Sequence, residues 1–176
     1  PINVKYSFKN GSHLQAGAVL RNMYYKDEVE DKDRIVTGWG ASLSGIWQFA
    51  ENTSLCFQGV YGKGISNYIQ DISGSGLDLV PSATAEGKLK AFNAWGGYIG
   101  FSHNWSKVLT SNIMYSYARV LDRYGMPATS YKYAQYAAAN LFWDFSEYGS
   151  CAIEYVFGRR NDFNKDYGNA SRINTM

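Results

Sequence analysis

Residues Cys151–Arg172 read CAIEYVFGRRNDFNKDYGNASR. At its start Cys151, Ile153, Tyr155 and Phe157 alternate with Ala152, Glu154, Val156 and Gly158. A period of two is that of a β-strand with unlike faces. One face is apolar and aromatic; the other carries a carboxylate and runs into Arg159–Arg160. A polar loop follows, then a second alternation, Arg172-Ile173-Asn174-Thr175-Met176. A soluble sandwich would bury the aromatic face and wet the polar one. A membrane barrel would turn the aromatic face to lipid and the polar face to a water-filled lumen.

Composition favours β-structure without choosing between the two. Of 176 residues only 18% are charged, against about 25% in ordinary domains. Aromatics reach 16%, with 15 Tyr and 5 Trp, and there are 18 Gly but 3 Pro. The length suits one domain. A formal charge of +2 argues against nucleic acid as a partner. The apolar runs are too short for a transmembrane helix, but a spanning β-strand needs none, because half of its residues are polar.

The alternation recurs along the chain. Ile2–Phe8 is apolar at even positions, and Lys9-Asn10-Gly11-Ser12 has turn chemistry. His13–Tyr24 sets Leu14, Ala16, Ala18 and Leu20 against Gln15, Gly17, Val19 and Arg21. Ile35–Gln48 sets Trp39, Ala41, Leu43 and Trp47 against Gly40, Ser42, Ser44 and Gln48. Leu55–Tyr61, Ala94–Asn104, Leu109–Val120 and Tyr133–Trp143 continue the pattern, giving about nine strand segments. Connections near residues 10, 51, 106 and 147 read as short, and those near 30, 76, 127 and 165 as long. The longest, roughly 63–90, contains Ser73-Gly74-Ser75-Gly76 and Pro81; a connection of that length tends to be functional. Gly62-Lys63-Gly64 lets the chain bend into it.

Short turns at one end and long loops at the other are what transmembrane barrels show. Aromatics gather at strand ends, with Trp47, Trp105 and Trp143 by the short turns and Tyr24, Tyr25 and Tyr61 by the long loops. These fit two interfacial girdles. The expected fold is therefore all-β, an antiparallel up-and-down transmembrane β-barrel. Cys56 and Cys151 fall on strands four apart, about 19 Å at strand spacing, and cannot pair.

With these strands in place the chain resembles the DcaP-like porins of Gram-negative outer membranes. The resemblance rests on His13–Arg21 (HLQAGAVLR), Gly38–Gly45 (GWGASLSG), Phe57–Ile65 (FQGVYGKGI), Asn140–Trp143 (NLFW), Glu154–Arg160 (EYVFGRR) and Asn169–Ile173 (NASRI). It implies a trimeric barrel of about sixteen strands in the cell outer membrane, of which residues 1–176 supply the C-terminal half. It also implies outer-membrane lipid and lipopolysaccharide as surroundings. A final strand ending in an aromatic residue belongs to the same pattern, whereas Met176 falls in mid-strand. The chain is thus expected to be a piece of a longer one.

No enzyme or cofactor motif is present: GxSxG, HExxH, P-loop and dinucleotide fingerprints are missing. The informative polar residues are those that parity places on the lumen face: Lys5, Gln15, Arg21, Gln58, Asn140, Glu154, Arg160 and Arg172. Arg160 and Arg172 flank one loop and are expected to lie close together. Cationic rings in a pore favour anions. The expectation is a passive channel, narrowed by the 63–90 loop, for small anionic solutes such as dicarboxylates. A structural pair between Glu154 and an arginine is the competing reading of the same residues. The acidic run Asp27, Glu28, Glu30, Asp31 and Asp33 could offer oxygen ligands to a divalent cation, but the interleaved Lys26, Lys32 and Arg34 favour a solvated loop. Two other classes stay open: a soluble carbohydrate-binding domain, and a lipid-modifying barrel using Ser111 and His103.

Overall fold

A computed structural model describes residues 1–82, 84, 87–121 and 125–175. Met176, with the expectation attached to it, and parts of the connections after residues 82 and 121 lie outside them. The strands are β1 (Ile2–Ser7), β2 (His13–Asp27), β3 (Lys32–Ala50), β4 (Thr53–Lys63), β5 (Leu79–Pro81), β6 (Leu89–Ala91), β7 (Asn93–Asn104), β8 (Leu109–Val120), β9 (Tyr131–Ser146), β10 (Gly149–Asp162) and β11 (Tyr167–Thr175). Nine form one antiparallel meander in sequence order, β1-β2-β3-β4-β7-β8-β9-β10-β11, and β5–β6 is a separate small hairpin. Among the described residues β1 and β11 each have a neighbour on one side.

Cross-strand partners share a face, so the register fixes both faces of the sheet. One row runs Lys5, Gln15, Ser44, Gln58, Tyr98, Ser116, Tyr136, Gly158 and Ala170 across all nine strands. The opposite face carries Leu20, Leu43, Ile99, Ile113, Trp143, Ile153 and Ile173, all exposed; Ile113 keeps 62% of its surface. In water so wide an apolar face would be a large cost, about 25 cal/mol per Å².

The hydrophobic core lies instead on the polar row's side. The connection from Gly64 to Phe92 folds back over that inner face as two 3-10 turns, Ser66–Tyr68 and Gln70–Ile72, and the β5–β6 hairpin. Its Ile65, Ile69, Ile72, Leu77, Val80 and Phe92 are buried against Ala94, Ala118 and Val120, with Val19, Val60 and Ala134 alongside. A Cβ on Gly40 would lie 2.9 Å from Ile65 Cγ2, so glycine there lets the loop sit on the wall. At Gly64, φ of +66° turns the chain out of β4, as the glycine pair suggested. The Gly64 N–H then donates to the Phe92 carbonyl at 2.8 Å and closes the loop's base.

Two of the four connections read as long are strand extensions. β2 and β3 stay paired out to Asp27 and Lys32, leaving only residues 28–31 as turn. Likewise β10 and β11 turn within residues 163–166. Charged residues on paired strands had looked like loop. The elaborated end of the sheet is therefore made, among the described residues, by one long infolded connection, residues 125–130 and a projecting hairpin.

Aromatic pairs mark both ends of the outer face. Phe8–Trp47, His103–Trp105 and Trp143–Phe145 meet edge to face near the short turns. Trp39–Tyr61 and Trp95–Tyr117 do so, or lie tilted, near the other end. Tyr25 is not among them. Its position on β2 turns it inward, where its hydroxyl accepts the Leu89 N–H at 3.0 Å and holds the loop. Cys56 faces inward and Cys151 outward, both as free thiols.

Candidate functional site

The register puts Lys5, Gln15, Arg21, Gln58, Asn140, Glu154, Arg160 and Arg172 on one face, the one the loop covers. Their partners are less uniform. Arg21 is anchored: its Nη1 donates to Asp78 Oδ2 at 2.9 Å and to the Gly64 carbonyl at 3.2 Å. Asp78 also accepts from Ser66 Oγ at 2.7 Å and Asn67 Nδ2 at 2.9 Å. The guanidinium lies 5.8 Å from the Tyr68 ring. Arg21 is thus a clamp on the loop, neutralised by its carboxylate, rather than a free cation of the lumen wall.

A second clamp sits opposite. Tyr131, buried at the start of β9, bonds the Asp71 carboxylate through its hydroxyl, which also lies 3.1 Å from the Ala118 carbonyl. Neither tie was legible in the sequence, because Asp71 and Asp78 belong to a segment whose path no periodicity describes.

Arg160 and Arg172 do not lie together. Arg160 is registered with Gly168, and Arg172 with Val156, four residues along β10 from Arg160. At about 3.3 Å per residue that is roughly 13 Å. Flanking one turn brings two residues close only if they are register partners, and the pairing is offset. Arg160 is 3.5 Å from Asp162 and over the Tyr131 ring at 5.5 Å. Lys5 and Arg172 are exposed and have no polar partner among the described residues.

Glu154 makes no pair with an arginine among the described residues. It belongs to a row of register partners, Asn112, Asn140, Glu154 and Asn174, on four adjacent strands. Asn112 Nδ2 donates to Asn140 Oδ1 at 2.8 Å, and Asn174 Nδ2 to Glu154 Oε1 at 3.0 Å. The Asn174 amide holds the half-buried carboxylate where the competing reading had placed an arginine. Between this row and the clamps, a cavity of about 580 Å³ opens between Tyr68–Asp71 of the loop and the wall residues Gln58, Tyr98, Ser116 and Tyr136.

On the projecting hairpin the acids face basic partners. Asp27, almost fully buried, accepts Arg34 Nε at 2.6 Å and the backbone N–H of Val29 and Glu30. Arg34 Nη2 meets Glu30 at 2.7 Å, and Lys26 meets Asp31 at 2.7 Å. The Arg34 guanidinium holds the Asp27 carboxyl below the usual carboxylate range, despite its burial. Asp27, Glu30 and Asp31 are thereby occupied as ion-pair partners. His103 and Ser111 are cross-strand neighbours on the outer face, but His103 Nδ1 is bound to Thr53 Oγ1 at 2.8 Å and Ser111 Oγ accepts Trp105 Nε1–H at 2.9 Å.

No family model and no curated protein matches the chain. Among solved structures, the outer membrane channel DcaP of Acinetobacter baumannii superposes on 98% of this chain with a TM-score of 0.77 at 18% identity. At that identity the likeness is one of fold, and it lies in this chain's nine-stranded antiparallel meander. The likeness read from the sequence holds at the level of fold, and the chain spans about half of that channel, 48% of its length. A NanC porin covers 99% of this chain and 89% of its own at 11% identity, a looser superposition with a TM-score of 0.47.

Proposed function

We propose that residues 1–176 form part of the wall of an outer-membrane porin, a passive diffusion channel for small hydrophilic solutes. One observation carries this reading. The polar face is covered by its own infolded connection, while the aromatic face is left exposed. In a barrel the first is a narrowed lumen and the second a lipid contact. The chain is taken as a single unit, the C-terminal half of the barrel.

Anion preference belongs to the same proposal. Arg21 is spent on the loop and Arg160 lies against Asp162, so the preference rests on Lys5 and Arg172, exposed cations of the same face. A small dicarboxylate would meet these fixed positive charges. Assembly as a homotrimer in lipid and lipopolysaccharide completes the reading. It implies no enzymatic step and no cofactor.

The test is conductance of the full-length protein in planar bilayers under a salt gradient. A chloride-selective reversal potential that shifts toward zero in Lys5→Ala plus Arg172→Ala supports the anion filter. Cation selectivity in the unsubstituted protein would sink the filter and leave the channel. Detergent-free recovery from the soluble periplasm would remove the channel itself, in favour of a soluble all-β domain.

A further inference from the structure

The cavity beneath the loop has a chemistry of its own. Its wall side holds one polar register row, Gln58, Tyr98, Ser116 and Tyr136, four side chains on adjacent strands that point the same way, beside the apolar Val60, Met114, Ala118 and Ala134. Facing them across about 580 Å³ are Gln70 and Asp71 of the second 3-10 turn. The side-chain polar groups of Gln58, Gln70, Tyr98, Ser116 and Tyr136 have no hydrogen-bond partner among the described residues. Asp71 is turned by Tyr131, which occupies one carboxylate oxygen and leaves the other open. No lysine or arginine lines this space among the described residues; Arg21 and Arg160, the cations of the neighbouring wall, are drawn to Asp78 and Asp162.

Two carboxamides, a carboxylate oxygen, a hydroxyl and phenol groups converge, with tyrosine rings providing apolar faces. Such a set pairs well with vicinal hydroxyls, which donate and accept at once, and with the C–H face of a pyranose ring. It pairs poorly with an anion, which would meet the Asp71 charge without a compensating cation. The volume falls in the usual range for small-molecule sites, about 300–1,000 Å³. We propose that this cavity is a binding subsite for a neutral polyhydroxylated solute of hexose to disaccharide size. The subsite rests on the channel reading for its route of access, and it is separate from the exposed cations, which act on ions passing along the wall.

Maltose, glucose and succinate are the probes. In planar bilayers holding the full-length protein, maltose added at millimolar concentration interrupts the ion current, and succinate at the same concentration does not. Tyr98→Phe with Tyr136→Phe removes two hydrogen-bonding hydroxyls but keeps the rings, and weakens the maltose effect about tenfold or more. Titration calorimetry of the detergent-solubilised trimer or monomer reads the same affinity whether or not current flows. A protein without conductance therefore overturns the channel reading, while the calorimetric result decides the subsite. The proposal is overturned if neither sugar binds, if succinate binds as tightly as maltose, or if the double phenylalanine variant binds maltose unchanged.

Discussion

Arg21 on β2 and Asp78 in the infolded connection are 57 residues apart in sequence and 2.9 Å apart in space. The pair decides how the loop is held. A hydrogen bond to a charged group contributes about 1.5–3 kcal/mol, and each buried Ile, Val or Phe of the loop contributes a similar amount. With Ile65, Ile69, Ile72, Val80 and Phe92 all buried, apolar packing keeps the loop on the wall and the ion pair fixes its position there.

Arg21→Met and Asp78→Asn should therefore loosen the loop without releasing it. Each single variant is expected to raise current noise in planar bilayers. A double-mutant cycle on unfolding free energy should give a coupling of about 1–3 kcal/mol. Coupling near zero would remove the clamp from the account.

Tyr131→Phe deletes the hydroxyl that reaches Asp71 and leaves the ring packed under Arg160. The expected cost is about 1 kcal/mol in a denaturant titration of the detergent-bound protein. The loop should also become more sensitive to added protease near residues 70–76. An unchanged midpoint and cleavage pattern would contradict the second clamp.

How much of this was legible beforehand follows from the physics of each part. The nine strands of the sheet and the shared face of Lys5, Gln15, Arg21, Gln58, Asn140, Glu154, Arg160 and Arg172 follow from period-two alternation, which a one-residue slip would have inverted. Residues 25–34 read as a loop because charge there outweighed pattern, although Tyr25 pairs with Arg34 and Lys26 with Asp33. The clamps could not be seen, since Asp71 and Asp78 gain their partners by tertiary folding across 60 and 57 residues. The proximity expected of Arg160 and Arg172 failed on register, which parity alone does not supply.

Charge placed on either face should have unequal cost. Ile99→Arg puts a cation on the outer face in the middle of β7, and should cost about 2–4 kcal/mol near the bilayer midplane. Ser116→Arg, on the inner row of β8, should cost much less because its head can reach water. Folding titrations into lipid vesicles compare the two; equal costs would contradict the assignment of faces.

The projecting hairpin should respond to acid. Asp27 has a lowered folded pKa because of Arg34. Its stabilising contribution is fully present above the ordinary aspartate value, about 3.9, and is lost as pH falls through the lower folded value. Amides of residues 23–36 should lose exchange protection over that acid range, after correction for intrinsic rates, and Asp27→Asn should abolish the pH dependence. Protection that is flat with pH in the parent would refute the role given to this pair.

The central claim is that alternate residues of one strand face water and lipid. It is tested most directly by cysteine substitution along β7 of the full-length protein in membranes, after Cys56→Ser and Cys151→Ser. Tyr98→Cys and Ser102→Cys should react with a small water-soluble maleimide, while Ile99→Cys and Phe101→Cys should resist it and instead be quenched, once labelled in detergent and reconstituted, by brominated lipid. Uniform reactivity along the strand, or the opposite alternation, would contradict the barrel.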